Sequence, residues 1–299
     1  MYLTGIGDEA GACIDAQIKA TTELGWKSIE GRNVQVGDFP KGNFHDVPDA
    51  AFDAVVAKLE EAGLGICCFG STIGNWAKKI TDPFEPTLEE VARAIPRMQR
   101  LGTKFIRIMS YAVREDSDDQ MEAERFRRLR EITQRFLDAG IQPVHENCMN
   151  YGGMSWRHAL ELLEHVPGLK WVWDTGNPIF NADRSKPKPW PRQDPMEFYQ
   201  KVKPWIVHVH VKDCRWDEDK NDADYVYPGE GDGQVRPVLR DLLAGGYDGG
   251  ISIEPHLAVV FHDASVTSDA GREYSTYVEY GRRLTRMVQE ILTELKNPA

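Results

Sequence analysis

Four short runs end in residues that bind divalent cations. Pro-Val-His-Glu closes on Glu146, Trp-Val-Trp-Asp on Asp174, Val-His-Val-His on His210 and Ile-Ser-Ile-Glu on Glu254. Three carboxylates brought to one wall repel each other unless a cation lies among them, so the set predicts one bound divalent metal ion. Oxygen donors with one imidazole suit Mn²⁺ best, then Mg²⁺ or Co²⁺, with Zn²⁺ left open and a thiolate zinc site not indicated. Glu146 and Glu254 stand at opposite ends of the set. Each is placed to act as acid or base on one face of a substrate as well as to touch the metal.

The run from 207 to 213 alternates, so His208, His210 and Lys212 share one face, and Val207, Val209 and Val211 the other. Two imidazoles on a buried strand are costly without partners. His210 lies nearer the strand end and is the expected ligand. His208 sits a layer deeper and reads as support. Glu9, Arg32, Asn147, Asn177, Lys212 and His256 also fall at strand ends, where they reach substrate oxygens. An ion pair across the mouth explains Glu9 and Arg32 equally well. Trp76, Trp190 and Trp216 fall in loops and read either as sugar-stacking platforms or as interface residues. Trp173 precedes a ligand on its strand and should pack away from the site.

The elements that position these residues follow a strand–helix period. Strands are expected at 2–6, 26–30, 64–69, 105–109, 141–146, 170–174, 206–211 and 250–254. Helices are expected at 14–24, 49–62, 87–101, 120–139, 156–165, 195–202, 235–243 and 273–295, several closed by glycine. Pro96 should kink or interrupt its helix. Residues 214–235 read as a polar loop, and 178–195 as a long Pro-rich loop and lid candidate. Eight such units fit a parallel (β/α)₈ TIM barrel, a single α/β domain over 1–299, a fold of about 250 residues with its active site at the strand C-termini. A doubly wound sheet would need a third glycine after Gly5-Ile-Gly7, and none follows at the right spacing.

Composition narrows the partners. The chain has 299 residues, 41% hydrophobic, with net charge -11. Such acidity disfavours nucleic acid, which requires clustered Lys and Arg. No run of about 18 apolar residues occurs, so no membrane span is expected. The N-terminus lacks basic and apolar signal regions, and the five cysteines form no Cys-x-x-Cys pair. A cytoplasmic protein with reduced thiols is the expectation. A homo-oligomer is left open.

The motifs His-Glu-Asn (145–147), Trp-Asp-Thr-Gly-Asn (173–177), His-Val-His-Val-Lys-Asp (208–213) and Ser-Ile-Glu-Pro-His (252–256) resemble the xylose-isomerase-like barrel superfamily of sugar-phosphate isomerases and epimerases. The resemblance implies that Glu146, Asp174, His210 and Glu254 hold the metal. Asn177 stands where many ketose epimerases have a histidine, and Gly229–Gly233 resembles the Gly-rich loop after the seventh strand. The DNA-repair branch of the superfamily uses a histidine-rich zinc cluster. Here His45, His158, His165 and His262 fall in loops or helices away from the strand ends.

The leading expectation is a metal-dependent sugar isomerase or epimerase, with proton transfer beside a carbonyl through an enediolate. The alternative is a dehydratase or lyase acting on a keto-sugar, inosose or glycoside with the same residues. A non-catalytic sugar-binding protein is the third. Each takes a small sugar or polyol.

Overall fold

The computed structural model describes residues 1–258 and 269–297. His262 lies outside the described residues. Eight strands form one parallel sheet: β1 (Tyr2–Gly5), β2 (Ser28–Gly31), β3 (Gly65–Gly70), β4 (Phe105–Ile108), β5 (Gln142–Glu146), β6 (Lys170–Asp174), β7 (Ile206–Val211) and β8 (Gly250–Ile253). Their order is β1-β8-β7-β6-β5-β4-β3-β2, every neighbouring pair being parallel. A parallel bridge from Ile6 to Glu30 brings β1 against β2 and draws the sheet into a barrel.

Helices α1 (Ile14–Glu23), α2 (Asp49–Ala62), α3 (Glu85–Leu101), α4 (Glu122–Asp138), α5 (Trp156–His165), α6 (Asn177–Phe180), α7 (Pro195–Val202), α8 (Val235–Ala244) and α9 (Ala270–Lys296) follow the strands. Local sequence explains their limits. Gly63 ends α2 in a left-handed conformation, φ 63°, which a side chain would disfavour. The Ser155 hydroxyl accepts from the Arg157 and His158 amides at the start of α5. Their apolar faces bury against the outer face of the barrel, as with Phe52, Val55, Val56 and Leu59 of α2. Trp173 is fully buried between Phe198 and Tyr199 of α7, facing away from the barrel interior. Each such buried side chain is worth roughly 1.5–3 kcal/mol.

Three expectations change. Residues 213–226 are not a loop but an antiparallel hairpin, Asp213–Asp217 with Asp222–Val226. Alternation explains it: Cys214 and Ala223 pack with Ile179, and Trp216, Tyr225 and Phe180 lie against them. Pro96 does not interrupt α3, which runs continuously past it. Pro96 and Ala92 both face solvent, where water can satisfy the carbonyl that proline leaves unbonded. Val207 does not share the outward face of Val209 and Val211. The β6–β7 register shifts by one residue, Trp171 pairing with Ile206 and Val172 with His208, so Val207 is the extra residue of a bulge. It joins Cys68, Val144 and Val172 in a small apolar plug at the N-terminal end of the barrel. Above that plug the barrel interior is polar.

Candidate functional site

Register brings the four predicted cation-binding side chains together. Asp174 pairs with His210, which pairs with Ser252, and Glu146 pairs with Val172 one layer below Asp174. The Glu254 amide donates to the Val211 carbonyl at 3.0 Å. One ligand atom from each of Glu146, Asp174, His210 and Glu254 lies within 4.8 Å of the others. His210 Nδ1 is 3.6 Å from Glu146 Oε1 and 3.7 Å from Glu254 Oε2.

The donors fit a divalent cation. His210 Nδ1 is buried without a hydrogen-bond partner, and so is Asp174 Oδ2. Asp174 Oδ2 is 3.1 Å from Lys212 Nζ, an ion-pair distance without hydrogen-bond geometry. Asp174 Oδ1 faces the other way, accepting the amides of Gly176 at 2.9 Å and Asn177 at 2.7 Å. Any side chain at 176 would strike Lys212, since a Cβ there falls 2.8 Å from its Cγ. One carboxylate oxygen of Asp174 is therefore fixed by the backbone and the other is directed at the cluster. A hard donor set with an imidazole nitrogen matches Mn²⁺ or Mg²⁺.

Two residues that sequence reasoning did not assign complete the arrangement. Glu30 sits beneath the cluster, fully buried, and accepts from His208 Nε2 at 2.8 Å and His210 Nε2 at 3.0 Å. It fixes the His210 ring so that Nδ1 faces the carboxylates. Arg107 on β4 donates from Nη1 to Glu146 Oε2 at 2.8 Å. Its signal was parity: a single charge inside Phe-Ile-Arg-Ile, on the interior face.

The other predicted residues divide. Arg32 bonds Asp8 at 3.0 Å, Glu9 at 3.2 Å and Glu254 at 2.9 Å, a salt-bridge web across β1, β2 and β8. Glu9 also receives the His256 amide at 2.8 Å and its Nδ1 at 2.9 Å. Asn177 Nδ2 donates to Glu146 Oε1 at 2.9 Å. Lys212, expected at a strand end, is buried, with Nζ 2.9 Å from Glu254 Oε2. Asn147 turns to the backbone: its amide exchanges two hydrogen bonds with the Asp174 main chain, at 2.8 and 2.9 Å. It ties the end of β5 to the end of β6. Trp190 lies under Arg184 and Lys188, and Trp216 under Arg192, so both rings stack on cations of this chain.

Electrostatics separates the carboxyl groups. Burial disfavours the Glu146 anion, but Arg107 and then His210 overcome it and hold the group well below the usual range. Glu254 is likewise held low against burial by Lys212, His256 and Arg32. Asp174 goes the other way, pushed up by burial and by Glu254 and Glu146, with Lys212 opposing. Arg32, Arg107, Glu146, Lys212, Glu254 and His256 line a small chamber at the barrel mouth. Cys148 lines it too, its thiol pushed up by burial and kept inert.

The family profile of the xylose isomerase-like TIM barrel matches residues 18–273. The chain belongs to this family. Among solved structures, a D-tagatose 3-epimerase-like protein superposes with TM-score 0.70 at 17% identity, over 99% of this chain and 100% of that one. The probable 3-DHS dehydratase AsbF from Bacillus anthracis gives 0.67 at 17%, over 95% and 99%. A xylose isomerase-like TIM barrel protein from Mycobacterium smegmatis, in complex with magnesium, gives 0.65 at 18%, over 96% and 97%. At these identities the likeness speaks for the fold. No curated protein matches the chain. Among the described residues no helix is long and apolar enough to cross a membrane.

Proposed function

We propose that this chain is a divalent-metal-dependent enzyme that moves a proton beside a carbonyl of a small sugar or polyol, as an isomerase or epimerase. The observation that carries this reading is that two buried donor atoms, His210 Nδ1 and Asp174 Oδ2, accept and donate no hydrogen bond and lie with Glu146 and Glu254 in one cluster. A cation held by Glu146, Asp174, His210 and Glu254 supplies a Lewis acid for neighbouring substrate oxygens. Glu146 is kept ionised by Arg107, as a base must be before it takes a proton from carbon. Glu146 gives the same proton back at the neighbouring carbon in isomerisation. In epimerisation the Lys212 ammonium, which donates to Glu254 Oε2 at 2.9 Å, passes a proton through Glu254 to the opposite face. Exchange with solvent then takes the first proton from Glu146 and restores Lys212. Asn177 orients Glu146, and Arg32 with Glu9 and His256 orients Glu254. The neighbours named as a D-tagatose 3-epimerase-like protein and a probable 3-DHS dehydratase are in keeping with an enzyme of this kind.

Lys212 supports a second reading, dehydration or β-elimination. Its ammonium, 2.9 Å from Glu254 Oε2, is a donor within reach of a departing oxygen. One experiment tests both. The protein is loaded with Mn²⁺ and incubated in D₂O with a panel of ketoses and keto-sugars, then followed by proton NMR. Deuterium entering carbon beside the carbonyl supports proton transfer. An unsaturated or cleaved product favours the second reading. No exchange and no product across the panel, with metal bound, sinks both.

A further inference from the structure

The chamber that touches Glu146, Lys212 and Glu254 has an open volume of about 30 Å³, room for roughly two waters. Trp76, Cys148, Met149 and Phe180 line it, and the same four side chains line a second chamber further out, of about 390 Å³. The outer space is in the range of small-molecule pockets, and the inner one is far below it. The two differ in chemistry as well as size. The inner one is walled by carboxylates, guanidiniums and an ammonium. The outer one adds Val113 and Met154 to the shared tryptophan, methionine and phenylalanine, and carries Glu115, Asn150, Asn181, Arg184 and Arg192 on the rest of its wall. Soft thioethers and rings form an adaptable apolar wall.

We infer that the substrate is a two-part molecule: a sugar or keto-sugar whose reacting carbons enter the inner chamber, bearing an aromatic substituent that stays in the outer one. The inference rests on the proton-transfer reading above. A second sugar ring there would set part of its hydroxyls against Trp76, Val113, Met149, Met154 and Phe180, each costly without a partner. A flat ring avoids that cost. The polar groups that remain there suit an acceptor at the ring's edge. Arg192 lies 3.4 Å over the Trp216 ring, donates to the Phe180 carbonyl and makes no ion pair among the described residues. Asn181 Nδ2 is a buried donor without a hydrogen-bond partner. Arg184, by contrast, is paired with Glu115. Phe180 belongs to both chambers and also packs against the hairpin with Ile179 and Trp216, so the boundary is anchored from outside the barrel.

The test uses the full chain loaded with Mn²⁺ and calorimetric titration with D-glucose and with 4-nitrophenyl β-D-glucopyranoside. The glycoside is expected to bind at least tenfold more tightly than glucose. Val113→Trp, which fills the outer chamber, and Arg192→Leu, which removes its donor, are each expected to weaken the glycoside at least fivefold and leave glucose unchanged. Equal affinity for the two ligands, no binding of the glycoside, or glycoside affinity untouched by both variants overturns the inference. The deuterium exchange of free ketoses is the separate readout for the reaction. Exchange that proceeds while the glycoside shows no advantage overturns the two-part substrate alone. A glycoside preference without exchange in any substrate overturns the reaction alone.

Discussion

Glu30 holds His210 from below: its Oε1 accepts from Nε2 at 3.0 Å, and this turns Nδ1 toward Glu146 and Glu254. The other oxygen of the same carboxylate holds His208 at 2.8 Å. The carboxylate is kept ionised against burial by His210 and His208. A carboxylate behind a ligating imidazole fixes its tautomer and raises its basicity. In Glu30→Gln the amide presents a donor to one of the two rings, and the His210 tautomer is no longer fixed. The Mn²⁺ dissociation constant is expected to rise about 10- to 100-fold, read by calorimetric titration. An unchanged constant would show that Glu30 serves packing alone.

Much of this was legible in sequence because the barrel puts its chemistry at strand ends. Glu146, Asp174, His210 and Glu254 each close an apolar run, and the order of the runs places them side by side. Glu30 also stood at a strand end, yet its role depends on a partner 178 and 180 residues away across the barrel, which no local pattern encodes. Arg107 was hidden for a different reason: a charge inside a four-residue strand reads as an edge position until its parity is set by its neighbours. Asn147 is of a type that suits substrate contact as well as backbone clamping, and only the Asp174 main chain decides between them. The hairpin at 213–226 was masked by its acidic outer face.

Asp174 is the carboxyl of the cluster that burial and two neighbouring carboxylates push up, with Lys212 opposing. Asp174→Asn keeps an oxygen for the Gly176 and Asn177 amides while replacing Oδ2 with a donor. Metal binding is expected to be lost, with the melting temperature of the chelator-treated protein within roughly 4 °C of wild type. Elemental analysis and thermal unfolding in EDTA check both parts. Retention of stoichiometric metal would remove Asp174 from the ligand set.

Arg107 and Glu146 form a buried pair at 2.8 Å, and both side chains are almost inaccessible. Removing one partner of such a pair leaves an uncompensated charge and costs about 3–5 kcal/mol. Arg107→Met is therefore expected to lose that much stability in EDTA, measured by urea unfolding. Saturating Mn²⁺ supplies another counter-charge to Glu146, so the difference from wild type should shrink. A deficit that is the same with and without metal would mean that Arg107 acts by packing and not through Glu146.

A pH effect is expected at His158, away from the cluster. Burial depresses its pKa below the ordinary value of 6.5, with Glu161, Asp183 and Glu122 opposing and Arg184 assisting. Its Nδ1 is 2.7 Å from the Ser155 hydroxyl, and its ring meets Tyr151 edge-on at 5.3 Å. The folded protein therefore holds this imidazole neutral at a pH where the unfolded chain protonates it. Below about 6.5 the unfolded state binds the extra proton, and stability falls as pH falls. Well above that value both states are neutral and the group contributes no slope. His158→Gln should leave unfolding free energy near pH 7.5 offset by a constant and flatten its decline between pH 6.5 and 5. Urea titrations of both proteins at these pH values read the slope directly, and parallel declines would exclude His158 as a contributor.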